Sequence, residues 1–349
     1  MQQNLLQHLL CPISKKEFEI EVIKKSQRNY AETTVEVIDE GILWAGTICY
    51  PIIDGIPRLL VESIIDYSNF LKENIVDFEK VKQKIMTEYG DIISFALAKN
   101  KRTKESFALE WSLFNYEQDS VWNASKGELV ERFLKETNET NVSIKNKLIL
   151  DAGCGNGLLD ELIANEGATV IACDFSSSIV RAYKKNENIN AFFIQADIEF
   201  LPFKESIFDI VHCSGVIVCT RNTKDSFEKL IPFTKSKGKL SIWLYHPRKD
   251  FIHNFILFIR KFSSKLPLKL QFFLYSIFIF PPTYIIKKIK GNSQNPREMM
   301  IDILDGFTPE FRWEYTENQA TKWYIDNNFN NIKVTTNEMF GFNIVACKE

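Results

Sequence analysis

From Lys147 onward the sequence alternates short apolar runs with amphipathic segments, and no other feature limits the fold as strongly. The apolar runs are KLILDAG, TVIACDFS, NAFFIQADI, FDIVHCSG and KLSIWLY, and segments with helical periodicity follow the first, second and fourth. Strands that are apolar throughout are typical of a parallel sheet whose two faces are both covered by helices. The alternation therefore predicts a doubly wound α/β architecture.

The end of the sequence completes this core. The pattern predicts a helix over 224–238, a second helix over 316–329, and strands over 331–338 and 341–348. The short connection between the last two strands favours an antiparallel hairpin. With the five earlier strands, the hairpin gives a mostly parallel sheet of seven strands.

The chain divides into three regions by composition. Residues 1–65 combine short β-prone runs with Gly and Pro turns, which predicts a small β appendage. Residues 66–140 contain apolar positions at helical spacing and are interpreted as a helical region preceding the core. Residues 141–349 hold the α/β core, interrupted by an insertion at about 250–297.

Charge and cysteine content indicate which partners and which cellular compartment to expect. The 349 residues contain 43 Lys and Arg against 45 Asp and Glu, a formal net charge of −2. No nucleic-acid partner is expected, because this balance does not attract a polyanion. Seven cysteines without paired spacing, and an N-terminal sequence without the pattern of a secretion signal, favour a cytoplasmic protein.

The turn after the first apolar strand is rich in glycine. It reads Asp151-Ala152-Gly153-Cys154-Gly155-Asn156-Gly157. Glycines tolerate positive φ and let the backbone approach a ligand, so such a turn can wrap a polar molecule above the strand ends. The run alone is also compatible with a tight strand-to-helix turn.

Two carboxylates follow the next two strands. Asp174, with Phe175 after it, closes the second strand, where a carboxylate can accept hydrogen bonds from both hydroxyls of a ribose. Asp197 and Ile198 follow the third strand and are placed to meet an adenine amino group. The three strand ends together predict a nucleoside cofactor.

NAD and S-adenosylmethionine both contain such a nucleoside. The spacing G-x-G-x-G differs from the G-x-G-x-x-G of dinucleotide sites, and Asp151 would repel a pyrophosphate but suits an ammonium group. The residues therefore favour S-adenosylmethionine, and an NAD-dependent oxidoreductase is the alternative enzyme.

In these motifs the chain resembles the class I S-adenosylmethionine-dependent methyltransferases. The resemblance covers residues 147–245, where D-x-G-x-G-x-G, Asp174 and D-x-E-x-L-P-F occur in the family's order and spacing. It implies a Rossmann-like fold with an antiparallel last strand. It also implies a cofactor site formed by Asp151, Gly153, Cys154, Gly155, Gly157, Asp174, Phe175, Asp197, Ile198 and Ser214.

A sulfonium methyl group is already activated, so its transfer requires mainly the alignment of an acceptor. Tyr245 and His246 follow the fifth strand and are the candidate catalytic residues, His246 as a base for a hydroxyl acceptor. Many family members carry histidines after the fourth strand, where this chain has Val218 and Cys219, so that role is not transferred. Cys154 and Cys219 are interpreted as packing residues, and His212 as a residue within a buried strand.

Two further elements resemble parts of related methyltransferases. The pattern around Cys11 and Cys49 is similar to small zinc-ribbon modules, but two sulfur ligands cannot close a tetrahedral site, so no metal is expected. Phe107 to Trp111 resembles an F-x-x-E-W element, which either folds over the cofactor or packs on the sheet.

The insertion also has two interpretations. Between Asp250 and Glu298 eight basic side chains are interleaved with aromatic and aliphatic ones, and no acidic residue occurs. We interpret it first as a lid of amphipathic helices over the acceptor, and alternatively as a peripheral membrane contact through 251–290. A spanning helix is not expected, because the uncharged run 270–286 is short and contains a Pro-Pro pair.

The sequence thus predicts methyl transfer from S-adenosylmethionine to a small-molecule acceptor that is sugar-containing or lipid-linked. Asp302 and Asp305 are candidate contacts to this acceptor. A non-catalytic module that keeps only the nucleoside pocket is the second alternative.

Overall fold

The computed structural model describes residues 1–120 and 124–349, and it begins with a four-stranded antiparallel sheet. Its strands pair in sequence order: β1 (Glu19–Asn29), β2 (Thr34–Ala45), β3 (Ile48–Ile53) and β4 (Ile56–Pro57). This sheet is the β appendage that the sequence predicts. Cys11 and Cys49 are both buried but pack into separate hydrophobic clusters.

Helices connect this sheet to the core. They are α1 (Ser63–Asp66), α2 (Ser68–Asn74), the long α3 (Phe78–Ser112) and α4 (Lys126–Thr137). The predicted helical region 66–140 contains α2, α3 and α4, whereas α1 begins three residues before it. Residues 121–123 of this region lie outside the described residues. α4 begins with a capping box, in which Ser125 and Glu128 each bond the other's backbone N–H.

In the described part of the chain, the core is a seven-stranded sheet with the order β10-β11-β9-β8-β5-β6-β7. β11 runs antiparallel to both of its neighbours, β10 and β9, which confirms the predicted closing hairpin and the doubly wound fold. The first part of this core consists of β5 (Leu148–Ala152), α5 (Leu158–Asn165), β6 (Thr169–Asp174), α6 (Ser178–Lys185), β7 (Ala191–Gln195), β8 (Phe208–Ser214), α7 (Thr223–Leu230) and β9 (Thr234–Tyr245).

The helix predicted over 224–238 is too long. α7 ends at Leu230, and Pro232 lies in a short 3₁₀ turn that follows it. Proline cannot continue an α-helix because it lacks the N–H donor and its ring clashes with the preceding turn. β9 therefore begins at Thr234, five residues before the strand that the sequence pattern indicated.

The insertion is helical, as predicted, and the core resumes after it. Its helices are α8 (Phe251–Ser263), α9 (Leu268–Leu274), α10 (Phe280–Ile289) and α11 (Pro296–Phe307), and the chain ends with α12 (Glu317–Asp326), β10 (Phe329–Asn337) and β11 (Gly341–Lys348). A π-helical turn, Tyr275–Ile279, joins α9 and α10 into one helix of 22 residues. Pro281 and Pro282 do not break it, because they lie in the first turn of α10, where proline is tolerated.

Edge-to-edge contacts attach the N-terminal sheet to the core. The N–H of Leu59 bonds the carbonyl of Gln195 at the end of β7, and the N–H of Leu10 bonds the carbonyl of Pro202. The buried Arg58 guanidinium also donates to the side chain of Gln195. The appendage therefore covers the outer edge of the sheet next to the loops that follow β6 and β7.

Candidate functional site

The glycine turn between β5 and α5 has a backbone that only glycine accommodates. Gly153, Gly155 and Gly157 have φ of 97°, 57° and 73°. A Cβ on Gly153 would lie 2.3 Å from a side-chain carbon of Val216, and one on Gly155 would lie 2.8 Å from the Trp111 ring. Positive φ and the absence of a side chain are both required here.

Asp174 is tied directly to this turn. Its side chain is buried, and it accepts hydrogen bonds from the backbone N–H groups of Gly155 (3.1 Å) and Ser176 (2.8 Å). Burial raises the pKa of Asp174, while these N–H donors oppose the rise. The structure thus brings together the carboxylate and the glycine turn that the sequence predicts in one site.

The remaining predicted cofactor residues lie at the same edge of the sheet. β8, β5, β6 and β7 are adjacent and parallel, so the residues after their carboxyl ends converge. Asp197 follows β7, is buried, and accepts a 2.9 Å hydrogen bond from the N–H of Glu199. Ile198 is half-buried beside it, and Ser214 ends β8. Phe175 packs against Phe107 of α3, with ring centroids 6.2 Å apart.

Asp151 is held by an ion-pair network beneath the turn. It pairs in register with His212 of β8, and its Oδ1 lies 2.9 Å from Nδ1 of that ring. His212 Nε2 lies 2.9 Å from Glu136 of α4. Burial opposes a charge on the ring, but the Asp151 and Glu136 carboxylates prevail and raise the pKa of His212 to about 9. The imidazolium therefore orients Asp151 at neutral pH.

A second carboxyl group lies next to Asp151. Asp160, in the first turn of α5, is 1% exposed. Burial, followed by the charge of Asp151, raises the pKa of Asp160 far above its ordinary value. A proton on Asp160 thus spares the site a second buried negative charge beside Asp151.

The C-terminal part of α3 covers the turn. Trp111 contacts Gly155, and Glu110 beside it is 2% exposed. Oε2 of Glu110 is buried and has no hydrogen-bond partner among the described residues. Burial, then the charges of Asp305, Asp302 and Asp174, raise the pKa of Glu110 well above its usual range. The buried carboxyl of Glu110 therefore lies within range of the charges of all three carboxylates.

A second group of charged residues lies beyond the end of β9. The Tyr245 hydroxyl donates to Oδ2 of Asp305 at 3.4 Å, and the Arg312 guanidinium lies 3.9 Å from the centre of the Tyr245 ring. Arg260 of α8 is buried and donates to the carbonyls of Gly306 and Pro309. Burial and the charge of Asp302 raise the pKa of Asp305 to about 6, although the positive charges of Arg260 and Arg312 act to lower it.

Comparison with known proteins identifies the domain. Residues 149–238 match the family model described as a methyltransferase domain. These residues belong to a methyltransferase domain. This match confirms the predicted family at the level of the domain, and S-adenosylmethionine is the methyl donor of that family.

Individual relatives of the methyltransferase domain cover only part of the chain. The ubiquinone biosynthesis O-methyltransferase of Coxiella burnetii is 31% identical over 105 residues, which are 29% of this chain and 45% of that protein. The malonyl-[acyl-carrier protein] O-methyltransferase of Buchnera aphidicola is 36% identical over 93 residues, 27% of this chain and 37% of that protein. The chain thus spans less than half the length of these two curated relatives.

A solved structure aligns with a larger part of the chain. The magnesium protoporphyrin IX methyltransferase of Synechocystis PCC 6803, solved with bound S-adenosylmethionine, has a TM-score of 0.42 and 14% identity. The alignment covers 71% of this chain and 95% of that one.

The two catalytic candidates occupy different surroundings. Tyr245 belongs to the charged group beyond β9, and burial raises its pKa well above the usual range. His246 is bound instead to the β10–β11 turn, with Nε2 2.8 Å from the carbonyl oxygen of Glu338. A ring nitrogen facing a carbonyl must carry the proton, so this nitrogen is a donor. A role for His246 as a base stays a prediction.

The cysteines near the methyltransferase site are poor nucleophiles. Burial raises the pKa of Cys219 to about 12 and that of Cys154 well above its ordinary value. The thiolate is the reactive form, and it is suppressed at both positions. This agrees with the interpretation of both residues as packing residues.

Sequence reasoning missed several charged residues of the site. Glu136 reads as an ordinary polar position of an amphipathic helix, and nothing in its spacing marked it. Asp160 was detectable as a carboxylate on the apolar side of α5. Arg260 could have been found from its spacing. It lies seven residues after His253, so the two polar side chains share one side of a helix that is rich in phenylalanine.

Proposed function

We propose that this chain transfers a methyl group from S-adenosylmethionine to a hydroxyl of a small amphiphilic acceptor. The observation that carries the proposal is the buried Asp174 carboxylate bound to the N–H of Gly155 inside a methyltransferase domain. The named relatives are both O-methyltransferases, which supports oxygen as the reacting atom.

The residues present fit the cofactor. Asp174 and Asp197 keep acceptor capacity beyond the N–H groups they bind, which suits ribose hydroxyls and an adenine amino group. Glu110 supplies a buried carboxyl oxygen without a partner among the described residues, which suits an ammonium group. When bound, S-adenosylmethionine supplies an activated methyl group.

The chain's own contribution to the transfer is positioning and proton removal. Trp111 and Phe107 close the site from α3 and exclude water from it. Asp305, with a pKa of about 6, is largely ionised at neutral pH and accepts the proton of the acceptor hydroxyl. Tyr245 donates to the same carboxylate and orients it.

Two finer features belong to this proposal. The N-terminal sheet descends from a zinc-ribbon-like module. It acts as a packing element, and the contacts of the N-terminal region to Gln195 and Pro202 support this role. The acceptor carries an apolar, lipid-like portion, supported by the aromatic helix α8 beside the charged group around Asp305.

Calorimetry with S-adenosylmethionine and with NAD tests the cofactor assignment. We expect the wild-type protein to bind S-adenosylmethionine and not NAD. Asp174→Asn should weaken that binding at least about tenfold, because it removes a charge-assisted acceptor. Asp326→Asn, at an exposed position on α12, is the matched control and should bind normally. Binding of NAD alone, or unchanged affinity in Asp174→Asn, would contradict the proposal.

A further inference from the structure

The α8 helix is polar on its buried side and aromatic on its exposed side. Phe251, Phe255, Phe258 and Phe262 follow at intervals of four, three and four residues, so they share one helix face. They are between 53% and 83% exposed. His253 and Arg260, on the opposite side, are at most 5% exposed. This is the inverse of a helix that packs on a soluble core.

The continuous helix Leu268–Ile289 also exposes large apolar side chains. Phe273, Phe278 and Ile289 are 58%, 68% and 81% exposed, whereas the polar Gln271 is fully buried. Only 6% of the apolar window within this helix is buried. Both helices therefore expose large apolar side chains, and we call these side chains together the α8–α10 face. Water alone does not favour an apolar surface of this extent.

Free positive charges border the α8–α10 face. Lys261, Lys265, Lys269 and Lys290 are exposed and form no ion pair within the described residues. No acidic residue occurs from Phe251 to Arg297. Apolar side chains flanked by lysines match the boundary between the acyl chains and the anionic headgroups of a bilayer.

Contacts with the rest of the protein fix how the second helix lies. Tyr275 is buried in a cluster with Met300, Ile303 and Leu304 of α11. Further along the helix, Lys287 donates to Asp302 at 2.7 Å. One side of the helix is therefore attached to α11 along its length. The length and composition of this helix would allow it to cross a membrane, but crossing would carry α11 and the Lys287–Asp302 pair into the bilayer.

We propose that the α8–α10 face docks this protein on an anionic lipid bilayer, with the phenylalanines inserted at the acyl boundary and the lysines among the headgroups. The docking itself does not depend on methyl transfer. Where the proposed function also holds, α8 separates the bilayer from the acceptor site, since Arg260 points inward towards Tyr245 and Asp305. An amphiphilic acceptor would then enter from the lipid side.

Vesicle flotation tests the docking. The full-length protein is mixed with vesicles of phosphatidylcholine alone or of phosphatidylcholine with phosphatidylglycerol. We expect it to float with the anionic vesicles and to float much less with the neutral ones. Replacement of Phe255, Phe258 and Phe262 by Ser should lower the partition coefficient at least about a hundredfold, because each change removes an aromatic side chain that the bilayer would bury.

Matched variants distinguish the surface from general hydrophobicity. Val76, Val142 and Ile325 are 91%, 78% and 60% exposed outside the α8–α10 face, and their joint replacement by Ser should leave flotation unchanged. Lys261, Lys265 and Lys269 replaced by Gln should weaken binding to anionic vesicles roughly tenfold or more. Replacement of the exposed Lys72, Lys84 and Lys322 by Gln is the control and should leave this binding unchanged.

Four outcomes would overturn the docking. The first three concern flotation and oligomeric state. They are a wild-type protein that does not float, equal loss in the control variants, and a concentration-dependent dimer that buries the phenylalanines instead. Resistance to alkaline carbonate extraction would also contradict it, by showing a spanning helix. Circular dichroism melting of every variant shows that it is folded, and S-adenosylmethionine calorimetry on the same samples shows separately whether the proposed function fails.

Discussion

The carboxylate of Asp174, at the end of β6, accepts a hydrogen bond from the backbone N–H of Gly155, in the turn after β5. The bond links this turn to the carboxyl end of the neighbouring strand. Because φ of Gly155 is 57°, its N–H reaches the carboxylate only through a left-handed backbone. The glycine turn and the predicted ribose carboxylate thus form one structural unit.

We expect Gly155→Ala to abolish S-adenosylmethionine binding. The left-handed backbone costs a residue with a Cβ roughly 1–2 kcal/mol, and the new methyl group would lie 2.8 Å from Trp111. Calorimetry measures the loss of binding. Gly127→Ala is the matched control, because nothing lies within 4 Å of its added Cβ and its helical site favours alanine. Normal binding by Gly155→Ala would mean that the turn is not part of the cofactor site.

How far the sequence predicts this molecule depends on the range of the interactions involved. The glycine turn, Asp174 and Asp197 are local to strand ends, and the parallel sheet brings them together without further information. The pairing of His212 with Glu136 joins residues 76 positions apart across α4 and β8. No periodicity or motif reports such a contact, so Glu136 could not be predicted.

The insertion shows the same limit of prediction from sequence. Its composition predicts amphipathic helices, and these are present. Which side of α8 faces the protein depends on the carbonyls of Gly306 and Pro309, which bind Arg260. The sequence places these partners more than forty residues away. The exposed aromatic side of α8 is therefore visible only in the structure.

Replacement of His212 by Gln should lower the free energy of unfolding by about 3–5 kcal/mol at pH 6, since it leaves Asp151 and Glu136 without their buried cation. The pKa of His212 is raised from 6.5 to about 9 by folding. Its stabilising contribution is therefore complete below pH 6.5 and is lost as pH rises through 9. Urea unfolding of both proteins from pH 6 to 10 measures this.

The difference between the two unfolding curves isolates His212. Burial lowers the pKa of the Met1 amino group to about 5, and this changes stability with pH in the opposite direction in both proteins. The wild-type advantage should shrink steadily between pH 6.5 and 9. A constant advantage across that range would show that the ring is neutral in the folded protein.

Replacement of Asp305 by Asn should lower kcat by about 10²- to 10⁴-fold with little change in S-adenosylmethionine affinity, because it removes the proposed base. In the wild-type enzyme, activity should rise with pH through about 6 as Asp305 ionises and then level off. Asp302→Asn is the control. The charge of Asp302 raises the pKa of Asp305, so its loss should move the rising limb to lower pH without abolishing turnover. Full activity in Asp305→Asn would exclude this carboxylate as the base.

Cofactor binding should change the fluorescence of Trp111. Its ring contacts Gly155 at the point where the turn would meet the cofactor, and it packs edge-on against Phe114 with centroids 6.1 Å apart. Titration with S-adenosylmethionine should therefore shift or quench the emission of the wild-type protein. Trp111→Phe should lose most of this change and bind only a few-fold more weakly. Trp44→Phe, in the N-terminal sheet, should keep it, and an unchanged signal in Trp111→Phe would place α3 away from the bound cofactor.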